Sequence, residues 1–127
     1  MSLRTKPVIN NFFTTNGVEW YIRKSKVITP SNGKLNIEMS KGRVNILIVS
    51  ENITIIPIGL TEEGSVTKCG LRIYDGGSYV VTWSPLFRFA SGITPNLTAN
   101  GWDELVLECI DGNTVWAYII GQDMKSA

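Results

Sequence analysis

The sequence predicts an all-β fold, an antiparallel β-sandwich with a jelly-roll-like order of strands. Apolar and β-branched runs of five to eight residues recur along the chain, and Gly, Asn, Asp and Pro residues separate them. No stretch shows a convincing helix pattern. Short strands at this spacing, joined by turn residues, are typical of antiparallel sandwiches and barrels.

Eight strands are predicted in chain order, with turn signals between them. The strands span residues 18–24, 34–39, 44–50, 53–58, 67–75, 78–83, 103–110 and 114–120. The turn signals include Asn16-Gly17, Asn32-Gly33, Asp75-Gly76-Gly77, Asn100-Gly101 and Asp111-Gly112-Asn113. Pro57 lies within the strand 53–58, and because proline has no N–H for a ladder, this strand is predicted to be at a sheet edge or bulged.

The length predicts one domain, since 127 residues can bury a hydrophobic core of their own. Residues 16–127 form the predicted sandwich domain, and residues 1–15 stand apart as an N-terminal arm or a first strand. This segment joins a basic start to apolar side chains that include Phe12 and Phe13. These side chains either pack on the same domain or bury against another chain, so Phe12 and Phe13 are candidate assembly residues.

Several classes of protein are disfavoured by composition. No apolar run approaches the ~18 residues of a membrane span, and the first residues lack the apolar core of a secretion signal, so we expect cytoplasmic synthesis and no membrane insertion. Cys69 and Cys109 lie in strand-like runs without CxxC spacing, which predicts buried thiols rather than a disulfide.

Charge is unevenly distributed along the chain. Residues 1–43 contain eight Lys or Arg and two Glu, whereas residues 44–127 contain four Lys or Arg and nine acidic residues. The basic residues are scattered through turns and short strands, without a dense cluster or a basic helix. The sequence therefore does not predict a nucleic-acid partner.

An enzymatic function is not predicted. The chain has no histidine, which excludes Ser-His-Asp and Cys-His arrangements and histidine metal sites. The sequence contains carboxylate pairs of the kind that glycoside hydrolysis uses, Glu104 with Glu108 or Asp103 with Asp111. A short chain with a simple hairpin lacks the deep cleft for this chemistry, so we expect no catalytic residues, metal or cofactor.

The last two predicted strands form a hairpin whose register decides which side chains share a face. With a three-residue loop, Ile110 faces Thr114 and Trp116 lies across from Glu108. One face is then apolar (Leu105, Leu107, Cys109, Val115, Ala117, Ile119), and the other is mixed (Glu104, Val106, Glu108, Ile110, Thr114, Trp116, Tyr118, Ile120). A two-residue turn at Gly112-Asn113 would move Trp116 and Tyr118 to the apolar face. We favour the first register because it separates polar from apolar residues better.

The mixed face suits either a sugar platform or an interface with another subunit. We predict that it is chiefly an assembly surface through Trp116 and Tyr118, because strand faces are normally used for packing. A glycan contact is expected instead near loop tips, which tolerate binding residues. The candidate glycan-binding residues are Ser91, Asn100, Trp102 and Asp103.

An order of sequence landmarks in residues 44–121 resembles the β-rich terminal domain of bacteriophage tail-fibre, head-fibre and related virion proteins. The landmarks lie in "VNILIVSENITIIPIG", "GLRIYDGGSYVVTW" and "FRFASGITPNLTANGWDELVLECIDGNTVWAYIIG". They are Ile53 to Ile56, Asp75-Gly76-Gly77, Val81-Thr82-Trp83, Phe89, Gly92, Pro95, Leu97, Thr98, Asp103 and Trp116. Trp102 departs from the pattern, since that position is more often small or polar.

The resemblance implies a virion structural protein, such as a fibre-end, tail or capsid decoration component, that forms a homotrimer and contacts other virion subunits. Because the chain is short and has its own basic N-terminal third, we expect a small virion protein attached through residues 1–43. An alternative function stays open, in which the protein is a receptor-binding module that recognises a host surface glycan.

Overall fold

The computed structural model describes residues 24–60 and 62–126. Their strands are β1 (Ser25–Val27), β2 (Lys34–Glu38), β3 (Val44–Ile48), β4 (Ile53–Ile58), β5 (Thr67–Tyr74), β6 (Val81–Trp83), β7 (Phe87–Arg88), β8 (Trp102–Cys109) and β9 (Val115–Met124). Three short 3-10 turns are the helical elements of this part of the chain: Met39–Lys41, Gly76–Ser78 and Ala90–Gly92. The all-β class is confirmed. Residues 1–15, with Phe12 and Phe13, and residues 18–23 of the first predicted strand lie outside the described residues.

The strands form two sheets, and the first six strands alternate between them. The six-stranded sheet has the order β1-β3-β5-β8-β9-β7, and the three-stranded sheet has the order β2-β4-β6. All neighbours among β1 to β6 are parallel, whereas β8 runs antiparallel to both β5 and β9. The prediction of antiparallel sheets with jelly-roll-like order is therefore wrong for the first six strands.

The turns of the first six strands carry the chain to the other sheet instead of folding it back on itself. Parallel neighbours require a long crossover connection, and here a strand of the opposite sheet lies within each crossover. Asp75-Gly76-Gly77 illustrates the difference. Asp75 has a left-handed backbone with φ of 64° and leads into the 3-10 turn that joins β5 to β6. This turn is therefore not a hairpin, because the two strands belong to different sheets.

Both sheets contribute to one hydrophobic core. Every second residue of the longer strands is buried, as expected for strands with one face on a core. The core includes Leu35, Ile37, Leu47, Ile53, Ile55, Leu71, Ile73, Leu105, Leu107, Val115 and Ala117. Cys69 and Cys109 are buried in it without a disulfide, which confirms the prediction for both.

Pro57 lies in the middle strand of the three-stranded sheet, so the prediction of an edge strand is wrong. Proline still has no N–H to donate, and the side of the strand to which its nitrogen points has no ladder at this position. The Thr54 N–H donates to the Gly33 carbonyl on the β2 side, and by alternation the nitrogen of Pro57 points to the β6 side. The pairing with β6 ends at Ile55, so no ladder bond is lost at Pro57.

The terminal hairpin has the predicted three-residue register. Glu108 pairs with Trp116 and Leu107 with Ala117, which places Ile110 across from Thr114. Within the loop, one Asp111 oxygen accepts the backbone N–H groups of Asn113 and Thr114, both at 2.8 Å. These bonds, together with one from the Thr114 hydroxyl, lower the pKa of Asp111 to about 2. On the predicted apolar face, Ile119 differs from its neighbours because it is 38% exposed.

Candidate functional site

The six-stranded sheet has one face on the core and another turned away from it, which we call the outer face. Its side chains on β3, β5, β8 and β9 are Val44, Ile46, Ile48, Lys68, Arg72, Tyr74, Trp102, Glu104, Val106, Glu108, Trp116 and Tyr118. A sheet face in contact with water normally carries polar residues at these positions. Here Trp116 is 41% and Tyr118 is 49% exposed. The outer face therefore presents aromatic and aliphatic side chains outside the core.

Two cross-strand ion pairs balance the charge of the outer face. Arg72 Nε lies 3.1 Å from Glu104 Oε2, and Lys68 Nζ lies 3.6 Å from Glu108 Oε2. The Tyr118 hydroxyl donates to Glu108 Oε1 at 3.4 Å. Partial desolvation raises the pKa of Tyr118, and the Glu108 charge and hydrogen bond raise it further. The two glutamates of the hairpin face are thus paired with Lys68 and Arg72 of β5.

The spacing of charged residues in the sequence is a signal for these two ion pairs. Lys68 and Arg72 are four residues apart, and so are Glu104 and Glu108. Antiparallel pairing of β5 with β8 places the two sets opposite each other, Lys68 with Glu108 and Arg72 with Glu104. Opposite charges directly across two strands favour this register.

The outer face ends in an open groove at the end of β5, the start of β8 and the end of β9. Its volume is about 540 Å³, and it is lined by Arg72, Tyr74, Asn100, Gly101, Trp102, Met124, Lys125 and Ser126. The groove brings together Asn100 and Trp102 of the four predicted glycan residues. Arg72 and Tyr74 were not predicted, because the sequence did not define the pairing of β5. Met124 and Lys125 were not predicted, because they lie beyond residue 120, where the last predicted strand ends.

Trp102 is the first residue of β8, directly after the turn at Asn100-Gly101, and it is half-buried. Tyr74 is its cross-strand partner on β5, and Met124 is its partner on β9. The ring centroids of Tyr74 and Trp102 are 5.1 Å apart at an interplanar angle of 52°. This tilted contact, together with the strand backbone, fixes both rings at the wall of the groove.

Asp103 has a structural position rather than a ligand-binding one. Its side chain is buried, with 1% relative exposure. One carboxylate oxygen accepts the Thr98 N–H at 2.6 Å, and the other accepts the Thr98 hydroxyl at 2.7 Å and the Asp123 N–H at 3.1 Å. These bonds join the loop before β8 to the end of β9, and they leave the carboxylate turned into the protein.

The other two predicted residues lie at exposed turns. Ser91 is in the 3-10 turn Ala90–Gly92, has a left-handed backbone with φ of 57°, and does not line the groove. Asn100 is exposed, with φ of 56°, and its N–H donates to Asp75 Oδ1 at 2.8 Å. A hydrogen bond from Ser78 and this N–H lower the pKa of Asp75. Asn100 is thus the predicted glycan residue that borders the groove from a turn.

Several landmarks of the virion-protein resemblance meet beside the groove. The Gly77 N–H donates to the Thr98 carbonyl at 3.1 Å, and a Cβ atom on Gly76 would lie 2.7 Å from Leu97 Cδ1. Thr98 is also the partner of Asp103. The Asp-Gly-Gly turn, the Pro-x-Leu-Thr loop and Asp103 therefore form one packed and hydrogen-bonded unit, which gives these residues a structural reason to occur together.

Comparisons of the chain with protein-family models, with curated proteins and with solved structures gave no match. In the described part of the chain, no helix has the length and apolar character needed to cross a membrane. The same residues contain no group of three or more His, Cys, Asp or Glu side chains placed to hold a metal ion.

Proposed function

We propose that this protein is a structural component of a bacteriophage virion, a fibre-end, tail or capsid decoration protein that acts by assembly. The resemblance of residues 44–121 to terminal domains of virion proteins supports the class of protein. The two sheets with their shared core support a β-sandwich as its architecture. In this proposal the chain forms a homotrimer through the outer face and joins other virion subunits.

The composition of the outer face carries the proposal. Aromatic and aliphatic side chains occupy the positions where a solvated sheet face would have polar residues. Exposed aromatic clusters of this kind are typical anchors of protein interfaces. Trp116 and Tyr118 stand at alternate positions of β9, and both point away from the core. They are the proposed assembly residues that the structure describes.

The charges of the outer face fit a second copy of this chain. Its two cross-strand ion pairs make it nearly neutral, so identical faces approach one another without a large repulsion. Like-charged faces would instead oppose self-association. The pairs lie on the two central strands, β5 and β8, on either side of Val106.

Light scattering during size-exclusion chromatography of the full chain tests this proposal. At micromolar concentration we expect about three times the 14.1 kDa of one chain. The double variant Trp116→Glu, Tyr118→Glu should elute as a monomer with an unchanged circular dichroism spectrum, because both side chains are largely outside the core. Ile93→Glu is the matched control, since Ile93 is 71% exposed but lies outside the outer face.

A monomeric wild-type protein would refute self-assembly through this face. An oligomer that survives the double variant would place the interface elsewhere. Loss of the oligomer in both the double variant and the Ile93→Glu control would show that the charge change itself, and not the outer face, is responsible.

A second candidate function, recognition of a host surface glycan, is favoured by the groove. The fixed Tyr74 and Trp102 rings offer apolar surface next to the polar groups of Asn100, Arg72 and Lys125. Six positions along β8 separate Trp102 from Glu108, the partner of Trp116, which is about 20 Å at 3.4 Å per residue. An interface centred on Trp116 and Tyr118 is therefore compatible with an open groove.

A further inference from the structure

The groove at the end of the outer face combines an aromatic wall with positively charged groups. Its volume of about 540 Å³ lies within the range of about 300–1,000 Å³ that is typical of small-molecule sites. Tyr74 and Trp102 form the wall, and their contact with one another reduces the number of orientations that each ring can adopt. Rings held in this way can stack on the C–H face of a sugar without a large loss of side-chain entropy.

The charged side chains that line the groove are both cations, Arg72 and Lys125. Each is held by a carboxylate that does not line it. Arg72 pairs with Glu104 at 3.1 Å, and Lys125 Nζ lies 3.0 Å from Asp123 Oδ1. Both carboxylates lie outside the lining, so the surface that a ligand meets carries the two positive groups and the Asn100 amide.

Arg72 has N–H donors that its ion pair with Glu104 does not use. Its ion pair with Glu104 uses Nε, and a guanidinium carries four further N–H donors on its two terminal nitrogens. A planar carboxylate or a phosphate can accept two of these donors in parallel, which gives both strength and orientation. Because Glu104 and Asp123 cancel the two positive charges at longer range, this preference arises from contact hydrogen bonds and not from long-range attraction.

We propose that the groove binds an acidic saccharide, a sugar unit that carries a carboxylate or phosphate group. The sugar ring packs on Trp102 and Tyr74, the acidic group accepts hydrogen bonds from Arg72 and Lys125, and the Asn100 amide contacts a hydroxyl. This inference rests on the second candidate function, glycan recognition, and adds the ligand class and the residue that selects it.

Buried Asp103 positions this site without touching the ligand. Its hydrogen bond to the Asp123 N–H holds the end of β9 against the start of β8, and Asp123 in turn contacts Lys125. The backbone of Asp123 is left-handed, with φ of 52°, so this bend needs a partner that stabilises it. The carboxylate of Asp103 thereby sets where Lys125 stands relative to Trp102.

Titration of the full chain, followed by tryptophan fluorescence and by nuclear magnetic resonance, tests the inference. The probes are an oligomer of galacturonic acid, its neutral methyl ester, a phosphorylated mannose and mannose itself. We expect each acidic probe to bind about tenfold more tightly than its neutral counterpart. Arg72→Gln should remove this preference while leaving the affinity for the neutral probes unchanged.

Matched variants separate recognition from folding. Lys68→Gln removes the other cation of β5 on the outer face and should leave the preference for acidic probes intact, because Lys68 does not line the groove. Trp102→Phe keeps an aromatic ring and should retain measurable binding, whereas Trp102→Ala should abolish it. Thermal unfolding of each variant shows whether the domain is still folded.

Each outcome decides a different point. Equal affinity for acidic and neutral probes overturns the acidic preference and keeps glycan recognition. If none of the saccharides binds, both the acidic preference and glycan recognition are refuted. Assembly through Trp116 and Tyr118 is not affected by that result. Competition by a single-stranded oligonucleotide would assign the aromatic and basic groups to nucleic-acid binding instead.

Discussion

Replacement of Asp103 tests whether the groove is built on one buried carboxylate. The side chain accepts three hydrogen bonds from Thr98 and Asp123. Asp103→Ala removes all three acceptors. Bonds to a charged group contribute about 1.5–3 kcal/mol each and are not additive, and the released donors regain some water, so we expect a loss of about 3–5 kcal/mol in the free energy of unfolding.

Asp103→Asn is the sharper perturbation because it preserves the shape of the side chain. One carboxylate oxygen accepts the Thr98 N–H, and the other accepts the Asp123 N–H. An amide has only one oxygen, so in either orientation its NH2 group opposes one of these backbone donors. A single unsatisfied buried donor costs about 1–3 kcal/mol, which is the expected loss for Asp103→Asn.

Equilibrium denaturation in urea, followed by tryptophan fluorescence, measures these losses. Glu104→Gln is the matched control, since it changes the next residue and removes only a partly exposed ion pair with Arg72, worth about 0–1 kcal/mol. Asp103→Asn should also weaken binding of acidic saccharides, because Lys125 loses its support. An Asp103→Asn protein as stable as Glu104→Gln would refute this account of the loop and the groove.

Two further predictions concern turns. The folded-state pKa of Asp111, about 2, lies below the ordinary value of 3.8, so its ionised form stabilises the fold above about pH 4 and this contribution is lost as the pH falls towards 2. Thermal unfolding between these pH values should show a smaller acid dependence for Asp111→Asn, and an unchanged profile would contradict it. Gly77→Ala should lower the free energy of unfolding by about 1–3 kcal/mol, because its Cβ would overlap the Leu97 carbonyl oxygen. Gly70→Ala, which meets the adaptable Val44 side chain at 3.3 Å, should cost less in the same denaturation assay.

Much of the strand content followed from local pattern. The predicted strands 34–39, 44–50, 53–58, 67–75, 78–83, 103–110 and 114–120 correspond to β2 to β6, β8 and β9. Their alternation of apolar and polar residues is a property of a few consecutive positions, and burial of one face selects it. In contrast, β1 and β7 have only three and two residues. A strand of two or three residues has no detectable period of its own, and β6, which is equally short, was found only because it lies in the longer apolar run 78–83.

The candidate site was predictable only in part. Asn100 and Trp102 were identified from a turn and an unusual aromatic residue, and both line the groove. Arg72 was not, since β5 meets Trp102 only through tertiary pairing, and Lys125 was not, since it follows a strand that extends beyond its predicted end. Asp103 was predicted as a ligand residue because it lies near a turn, and loops tolerate binding residues. The loop that contains Thr98 instead covers the Asp103 carboxylate and donates hydrogen bonds to it. Such bonds depend on how the loop folds, so they leave no local sequence pattern.

By itself the sequence determined the all-β class and the burial of both cysteines, and it favoured the register that the terminal hairpin has. That register depends on neighbouring residues, because moving the pairing by one position would have placed Trp116 in the core and Ala117 outside it. Only the tertiary structure decided that β1 to β6 pair in parallel across two sheets. Backbone hydrogen bonds hold these strands together, and a backbone N–H or carbonyl group is the same for every residue except proline. A turn such as Asp75-Gly76-Gly77 therefore marks where a strand ends, while the contact of Gly77 with residues 97–99 is a tertiary one that the local sequence does not specify.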